Sequence, residues 1–225
     1  MALVSLSMAF ATLLIVANIM AVKLISIGPW VVPVAVIAYP FTFLVTDTIS
    51  ELYGRHVATR VVWFGFVMNL LMVALLYLGK VIPPASFWQG QDAYNKILGA
   101  VPRIVFASMI AYLLSQHHDV FAFHFWRKRT NGKHLWLRNN ASTMVSQGID
   151  SVLFITIAFI GVVPRNVLFN MIGVQYVIKL CIALADTPIC YLLVGFLRRK
   201  GTVPDDYHVS QNVSLAKQEM AGVES

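Results

Sequence analysis

The sequence predicts an all-α integral membrane protein, a bundle of six transmembrane helices with both termini cytoplasmic. Three observations predict it. Hydrophobic residues fill 58% of 225 positions and charged residues only 12%, with a mean hydropathy of +0.72, far from the balance of a soluble domain. The apolar residues come in runs of membrane length, about 20 residues each, and the chain has room for about six with short connections. The basic residues that leave a net charge of +7 gather in alternate connections. There they orient spans, so the charge reads as topology and not as nucleic-acid binding.

The first span is expected from about Ala2 to Ile27, broken by Gly28 and Pro29. It has no basic leading region and no clear small-residue cleavage site, so it does not read as a cleaved signal peptide. The second is expected from Trp30 to Thr46, with Pro33 and Pro40 as kinks inside it, continuing through Asp47, Glu51 and Arg55 to an end near Gly54. The third, Val57 to Gly79, carries Asn69. The segment Lys80 to Val101, with Pro83-Pro84, Trp88 and Tyr94, is too polar to span and is expected at the interface.

The fourth span runs from Pro102 to Phe121, and the strongly basic connection Arg127-Lys128-Arg129, Lys133, His134 and Arg138 follows it. The fifth ends at Val163 and the sixth runs from about Val167 to Leu197, closed by Arg198-Arg199-Lys200. Residues 1–200 therefore form one six-helix domain, and the polar stretch 201–225 reads as a disordered cytoplasmic tail. Placing the basic connections inside makes this a multi-pass chain with both termini in the cytoplasm. Cys181 and Cys190 read as packing residues.

Polar side chains within the spans carry the functional reading. From Arg138 to Asp150 the chain reads Arg-Asn-Asn-Ala-Ser-Thr-Met-Val-Ser-Gln-Gly-Ile-Asp and runs on into the apolar stretch to Val163. On one helix, Asn139, Thr143, Gln147 and Asp150 fall on one stripe. A carboxylate there is expensive in lipid and belongs inside the bundle. Lys179 in the sixth span is a plausible partner, with Asp186 seven residues on near the same face. Adjacent His117 and His118 point different ways on a helix, and nothing else has zinc spacing. No cofactor is implied, and there is no HExxH or Ser/His catalytic motif, which sets the enzyme reading aside.

Several of these residues carry a resemblance. Tyr39-Pro40-Phe41-Thr42-Phe43-Leu44-Val45-Thr46-Asp47, Glu51-Leu52-Tyr53-Gly54, Pro102-Arg103-Ile104, the stretch Ala107-Ser108 to Asp119, Trp136-Leu137-Arg138, Ala141-Ser142-Thr143, Gln147 to Asp150, and Lys179 occur in order over most of the chain. Together they resemble the queuosine precursor transporter family, the YhhQ-like branch of the vitamin uptake transporters. Tyr39 stands where the family pattern has Phe, and nothing after Lys200 belongs to it. The resemblance implies a six-helix inner-membrane protein importing 7-deazaguanine precursors of a modified tRNA base, 7-cyano-7-deazaguanine and 7-aminomethyl-7-deazaguanine.

The residue chemistry suits such a ligand. A guanine-like base offers a ring N–H beside an amino group, which a carboxylate accepts together, and a carbonyl oxygen for an amide or ammonium donor. Asp150 or Asp47 is expected in the first role and Gln147, Asn140 or Lys179 in the second, with Thr143, Glu51 and Asp186 as further polar members. Tyr39, Phe41, Phe43 and Tyr176 are candidates to pack on the ring. Two arrangements stay open: a self-sufficient permease, and a substrate-binding membrane subunit that needs an energising partner. The sequence also leaves homodimer formation open.

Overall fold

The computed structural model describes residues 2–129 and 135–199; within these, side chains at 119–120, 123–129, 135–143, 184, 186–188, 191 and 198–199 fall outside the description. The tail 201–225 and Lys133 and His134 of the basic connection therefore lie outside the described residues. So do the side chains of Asn140, Thr143 and Asp186.

The described chain is almost all helix: α1 (Ala2–Met20), α2 (Tyr39–Tyr53), α3 (Arg55–Val81), a short α4 (Gln91–Leu98), α5 (Val101–Arg129), α6 (Leu135–Phe159) and α7 (Arg165–Arg199). By length and composition, Ala2–Met20, Arg55–Val81, Gln91–His118 and Arg165–Ala183 are long and apolar enough to cross a membrane. Their outer faces agree. On α3, Trp63, Phe64, Val67, Leu70, Leu71, Leu75 and Leu78 are exposed, while Ala58, Val61, Val62, Gly65, Phe66 and Asn69 are buried. An apolar face of that extent suits lipid and not water.

One expectation is corrected between α1 and α2. Residues 24–33 form no helix; β1 (Leu24–Ile27) and β2 (Trp30–Pro33) pair antiparallel as a hairpin, with Leu24 opposite Pro33 and Ile27 opposite Trp30. Gly28 makes the turn at φ 60, a conformation open to glycine at little cost. β-branched Ile25, Val31 and Val32 favour the strands. Pro33 ends β2 and leads into a 3-10 turn, Val34–Ile37, while Pro40 sits in the first turn of α2. Neither proline kinks a helix interior, because at a helix start the missing N–H would have had no partner anyway.

At depth, non-helical backbone must be satisfied by protein. The Val34 N–H donates to the Lys23 carbonyl at 2.8 Å, and the Val31 N–H to Asn170 Oδ1 of α7 at 3.0 Å. α2 stops where expected, at Gly54 with φ 85. At the hairpin end, exposed Arg103 of α5 donates from Nε to the Ile157 carbonyl at 2.7 Å and from Nη2 to the Ile160 carbonyl at 2.6 Å. A cation on the last carbonyls of α6 satisfies groups the helix leaves open.

Two apolar clusters hold the bundle. At the hairpin end, Ala17, Ala21, Ala35, Ala38, Ala107, Ala111 and Ala158 pack with Ile104, Phe154, Ile155, Phe159, Leu168 and Met171. At the Gly54 end, Phe10, Ile49, Leu52, Tyr53, Ala58, Val61, Val62, Phe66 and Val194 join α1, α2, α3 and α7. Small residues let helix backbones approach closely where lipid provides no hydrophobic drive between helices. A buried amide pair ties α1 to α3: Asn18 Nδ2 donates to Asn69 Oδ1 at 2.7 Å, and Asn69 Nδ2 donates to the Gly65 carbonyl at 2.9 Å.

Candidate functional site

Between the two clusters lies a cavity of about 400 Å³ to which α1, α2, α3, α5, α6 and α7 all contribute. Its polar lining comes in helical stripes: Tyr39, Thr42, Thr46 and Asp47 on α2, Ser108, Tyr112, Ser115 and Gln116 on α5, Gln147 and Asp150 on α6, and Lys179 on α7. Phe10, Leu14, Phe43, Phe66 and Phe154 supply apolar walls. Asp47 and Gln116 are exposed, which places the mouth toward the Gly54 end. A volume in the few-hundred Å³ range, with an apolar frame and a few convergent polar groups, is the form small-molecule sites take.

On the wall, Lys179 Nζ donates to Asp150 Oδ2 in a salt bridge between α7 and α6. The ammonium also stands over the Tyr39 ring, 5.6 Å from its centroid, a favourable placement for a cation. Both charges are thereby partnered, as burial demands.

The hydroxyls add a bias. Thr42 Oγ1 donates to the Tyr39 carbonyl at 2.8 Å, Thr46 Oγ1 to the Thr42 carbonyl, and Ser115 Oγ to the Tyr112 carbonyl at 3.0 Å. With their protons turned back onto their own helices, these oxygens present lone pairs to the cavity. Together with two carboxylates they make a lining rich in acceptors, suited to a ligand rich in N–H groups.

Of the residues expected from sequence, Asp150, Lys179, Gln147 and Asp47 converge on this cavity, with Tyr39 and Phe43 among the ring candidates. Others are elsewhere. Glu51 and Phe41 are exposed, and Tyr176 packs beside Gly148 of α6. Asn140, Thr143 and Asp186 have side chains outside the described residues. His117 Nδ1 lies 2.7 Å from the Leu113 carbonyl and His118 Nδ1 3.3 Å from Ser146 Oγ. Sequence reasoning overlooked Thr42, Thr46, Ser108, Tyr112 and Ser115. Their signal was the polar spacing of three and four residues within α2 and α5, the same rule that exposed the α6 stripe.

Membrane-length helices arranged about a polar cavity with an ion pair on its wall have the form of a solute site within a membrane. The model of the family described as "Putative vitamin uptake transporter" matches residues 33–193, a span holding every cavity residue but Phe10 and Leu14. The chain belongs to this family. It is similar to the "Probable queuosine precursor transporter" of Bacillus subtilis (strain 168), 32% identical over 183 residues, 81% of this chain and 79% of the relative. It is also similar to the "Queuosine precursor transporter" of Escherichia coli (strain K12), 32% identical over 126 residues, 54% of this chain and 52% of that one. A third relative, the "Probable queuosine precursor transporter" of Haemophilus influenzae (strain ATCC 51907 / DSM 11121 / KW20 / Rd), is 28% identical over 123 residues, 55% of this chain and 50% of its own length. No solved structure matches the chain.

Proposed function

We propose that this protein imports a queuosine precursor, a 7-deazaguanine-type base, across the cell inner membrane for tRNA modification. The observation that carries the reading is the Asp150–Lys179 pair on the wall of an acceptor-rich cavity. Asp150 accepts the adjacent ring N–H and amino group of the base, and Lys179, released from the carboxylate, donates to its carbonyl. Gln147 and Asp47 add polar contacts, and Tyr39 and Phe43 flank the ring. The relatives named as queuosine precursor transporters support the same substrate class.

Six crossings account for the architecture: α1, α2 with its hairpin and 3-10 lead-in, α3, α5, α6 and α7, leaving α4 at the interface. Fifteen residues of α2 reach about 22 Å, short of a core of about 30 Å, and the paired hairpin fills the difference. The basic residues Arg55 and Arg60 follow Gly54, and in a six-span chain the basic clusters at 127–138 and 198–200 of the sequence fall on that same side of the membrane. That end is the cytoplasmic one, with both termini inside, and the cavity mouth opens toward it. Residues 1–200 are the transport domain and 201–225 a cytoplasmic tail. The chain acts as a permease, not an enzyme, alternating access to one mid-membrane site.

The test is uptake of labelled 7-cyano-7-deazaguanine into proteoliposomes holding only this chain. Accumulation or equilibration above protein-free vesicles is expected. If the chain binds the base and does not move it, the reading with an energising partner replaces self-sufficiency. If it binds no deazapurine, the substrate assignment fails.

A further inference from the structure

We infer that Gln175 is a second substrate-binding residue, sealed in the wall at the hairpin end of the cavity and uncovered when that wall parts. The inference rests on the transport reading above and adds a station to it.

Nine polar or charged side chains are buried among the described residues. Eight have a partner: Asn18 with Asn69, Thr42 with the Tyr39 carbonyl, Thr48 with the Leu44 carbonyl, Ser115 with the Tyr112 carbonyl, Ser146 with His118, Ser151 with the Gln147 carbonyl, and Lys179 with Asp150. Gln175 is the exception. It is 2% exposed, and neither Nε2 nor Oε1 meets a hydrogen-bonding group among the described residues or a water-sized space. A buried carboxamide unpaired at both ends destabilises the fold that holds it, and a feature of that kind calls for an explanation outside packing.

Its position supplies one. Met171, Gln175 and Lys179 follow at intervals of four on one face of α7. Lys179 lines the cavity, and Met171 lies in the apolar cluster at the hairpin end. Gln175 therefore stands one turn, about 6 Å along the helix axis, beyond the ion pair on the side away from the mouth. Phe154 belongs to both the cavity wall and that cluster, and Tyr39 of the cavity packs against it, so the cluster is the barrier closing this side. It is built largely of alanines.

Alternating access requires this barrier to part. Gln175 then faces the pathway with one donor and one acceptor, which match a heterocycle edge carrying N–H beside C=O by two parallel hydrogen bonds. The base meets the carboxamide first and the carboxylate of Asp150 one turn deeper. Recognition by buried hydrogen bonds discriminates strongly against analogues lacking one partner.

The experiment compares wild type with Gln175→Met, an apolar side chain of similar length. Two readouts are taken: the unfolding midpoint of the purified protein without substrate, and uptake of labelled 7-cyano-7-deazaguanine in proteoliposomes. Wild-type uptake is the control that belongs to the transport reading. The variant is expected to unfold about 2–4 °C higher, as removal of an unpaired buried group allows, while uptake falls about tenfold or more, the loss of a paired edge. Wild-type uptake by Gln175→Met overturns the inference, and so does a lowered midpoint, which would make the carboxamide structural. Gln175→Glu guards against a Met variant that does not fold. A carboxyl sealed there is held neutral and restores a donor beside an acceptor, so folded Gln175→Glu should keep uptake within about threefold of wild type; a loss of about tenfold or more in that variant overturns the inference as well.

Discussion

Lys179 and Asp150 form a salt bridge in which the lysine side chain keeps 7% exposure and the aspartate 19%. The carboxylate is the more open half, while the ammonium lies deeper, over the ring of Tyr39. Removing one member of a buried pair leaves the other charge uncompensated, which typically costs about 3–5 kcal/mol.

Asp150→Asn is therefore expected to lower stability by about that amount, because the stranded ammonium is the more buried group. Lys179→Met should cost less, since its stranded carboxylate retains access to the cavity. The double variant Asp150→Asn/Lys179→Met should recover most of the stability and none of the transport. Thermal unfolding and uptake of labelled 7-cyano-7-deazaguanine, measured on the same preparations, separate the effects. A double variant that transports like wild type would make the pair a structural clasp only.

The Asn18–Asn69 contact lies outside the cavity lining, so its removal should act on folding alone. Asn69→Leu leaves the Asn18 amide without its acceptor and is expected to cost about 1–3 kcal/mol, or about 2–4 °C per kcal/mol in unfolding midpoint. Asn18→Leu/Asn69→Leu should come close to wild type. Uptake per folded molecule should stay level throughout. A large loss of uptake with an unchanged midpoint would contradict this division.

At Gly65, α3 packs directly against side chains of α1 beside the site. A Cβ there would come within 2.8 Å of Phe10 Cε1 and 3.1 Å of Leu14 Cδ2, and both side chains line the cavity. Gly65→Ala should push Phe10 toward the substrate space and raise the KM for uptake several-fold. Gly65→Val overfills the contact and should cost about 1–3 kcal/mol. Phe10→Leu in the Gly65→Ala background should restore KM. Unchanged kinetics in Gly65→Ala would show that the displaced ring does not border the substrate.

Much of this was legible along the chain. The stripe containing Gln147 and Asp150 follows from helical period alone, and Lys179 was the natural partner because a carboxylate in an apolar run needs a cation nearby. Gly54 closed α2 as read, through a backbone angle that favours glycine. The hairpin was hidden because Leu24–Pro33 is as apolar as a span, and periodicity does not separate a short buried strand from helix. Tyr176 looked like a ring-stacking residue by type, yet its side chain lies beside Gly148. Gln175 carried no signal, since an amide in an apolar run is ordinarily paired.

What the sequence by itself determined is the medium and the chemistry: apolar runs demand lipid, and ionisable groups within them demand partners and a purpose. Those follow from transfer free energies that each residue carries wherever it sits. Tertiary structure alone decided which polar groups share one space and that Gln175 is closed out of it. These depend on how six helices rotate and cross, a property of packing between segments distant in sequence.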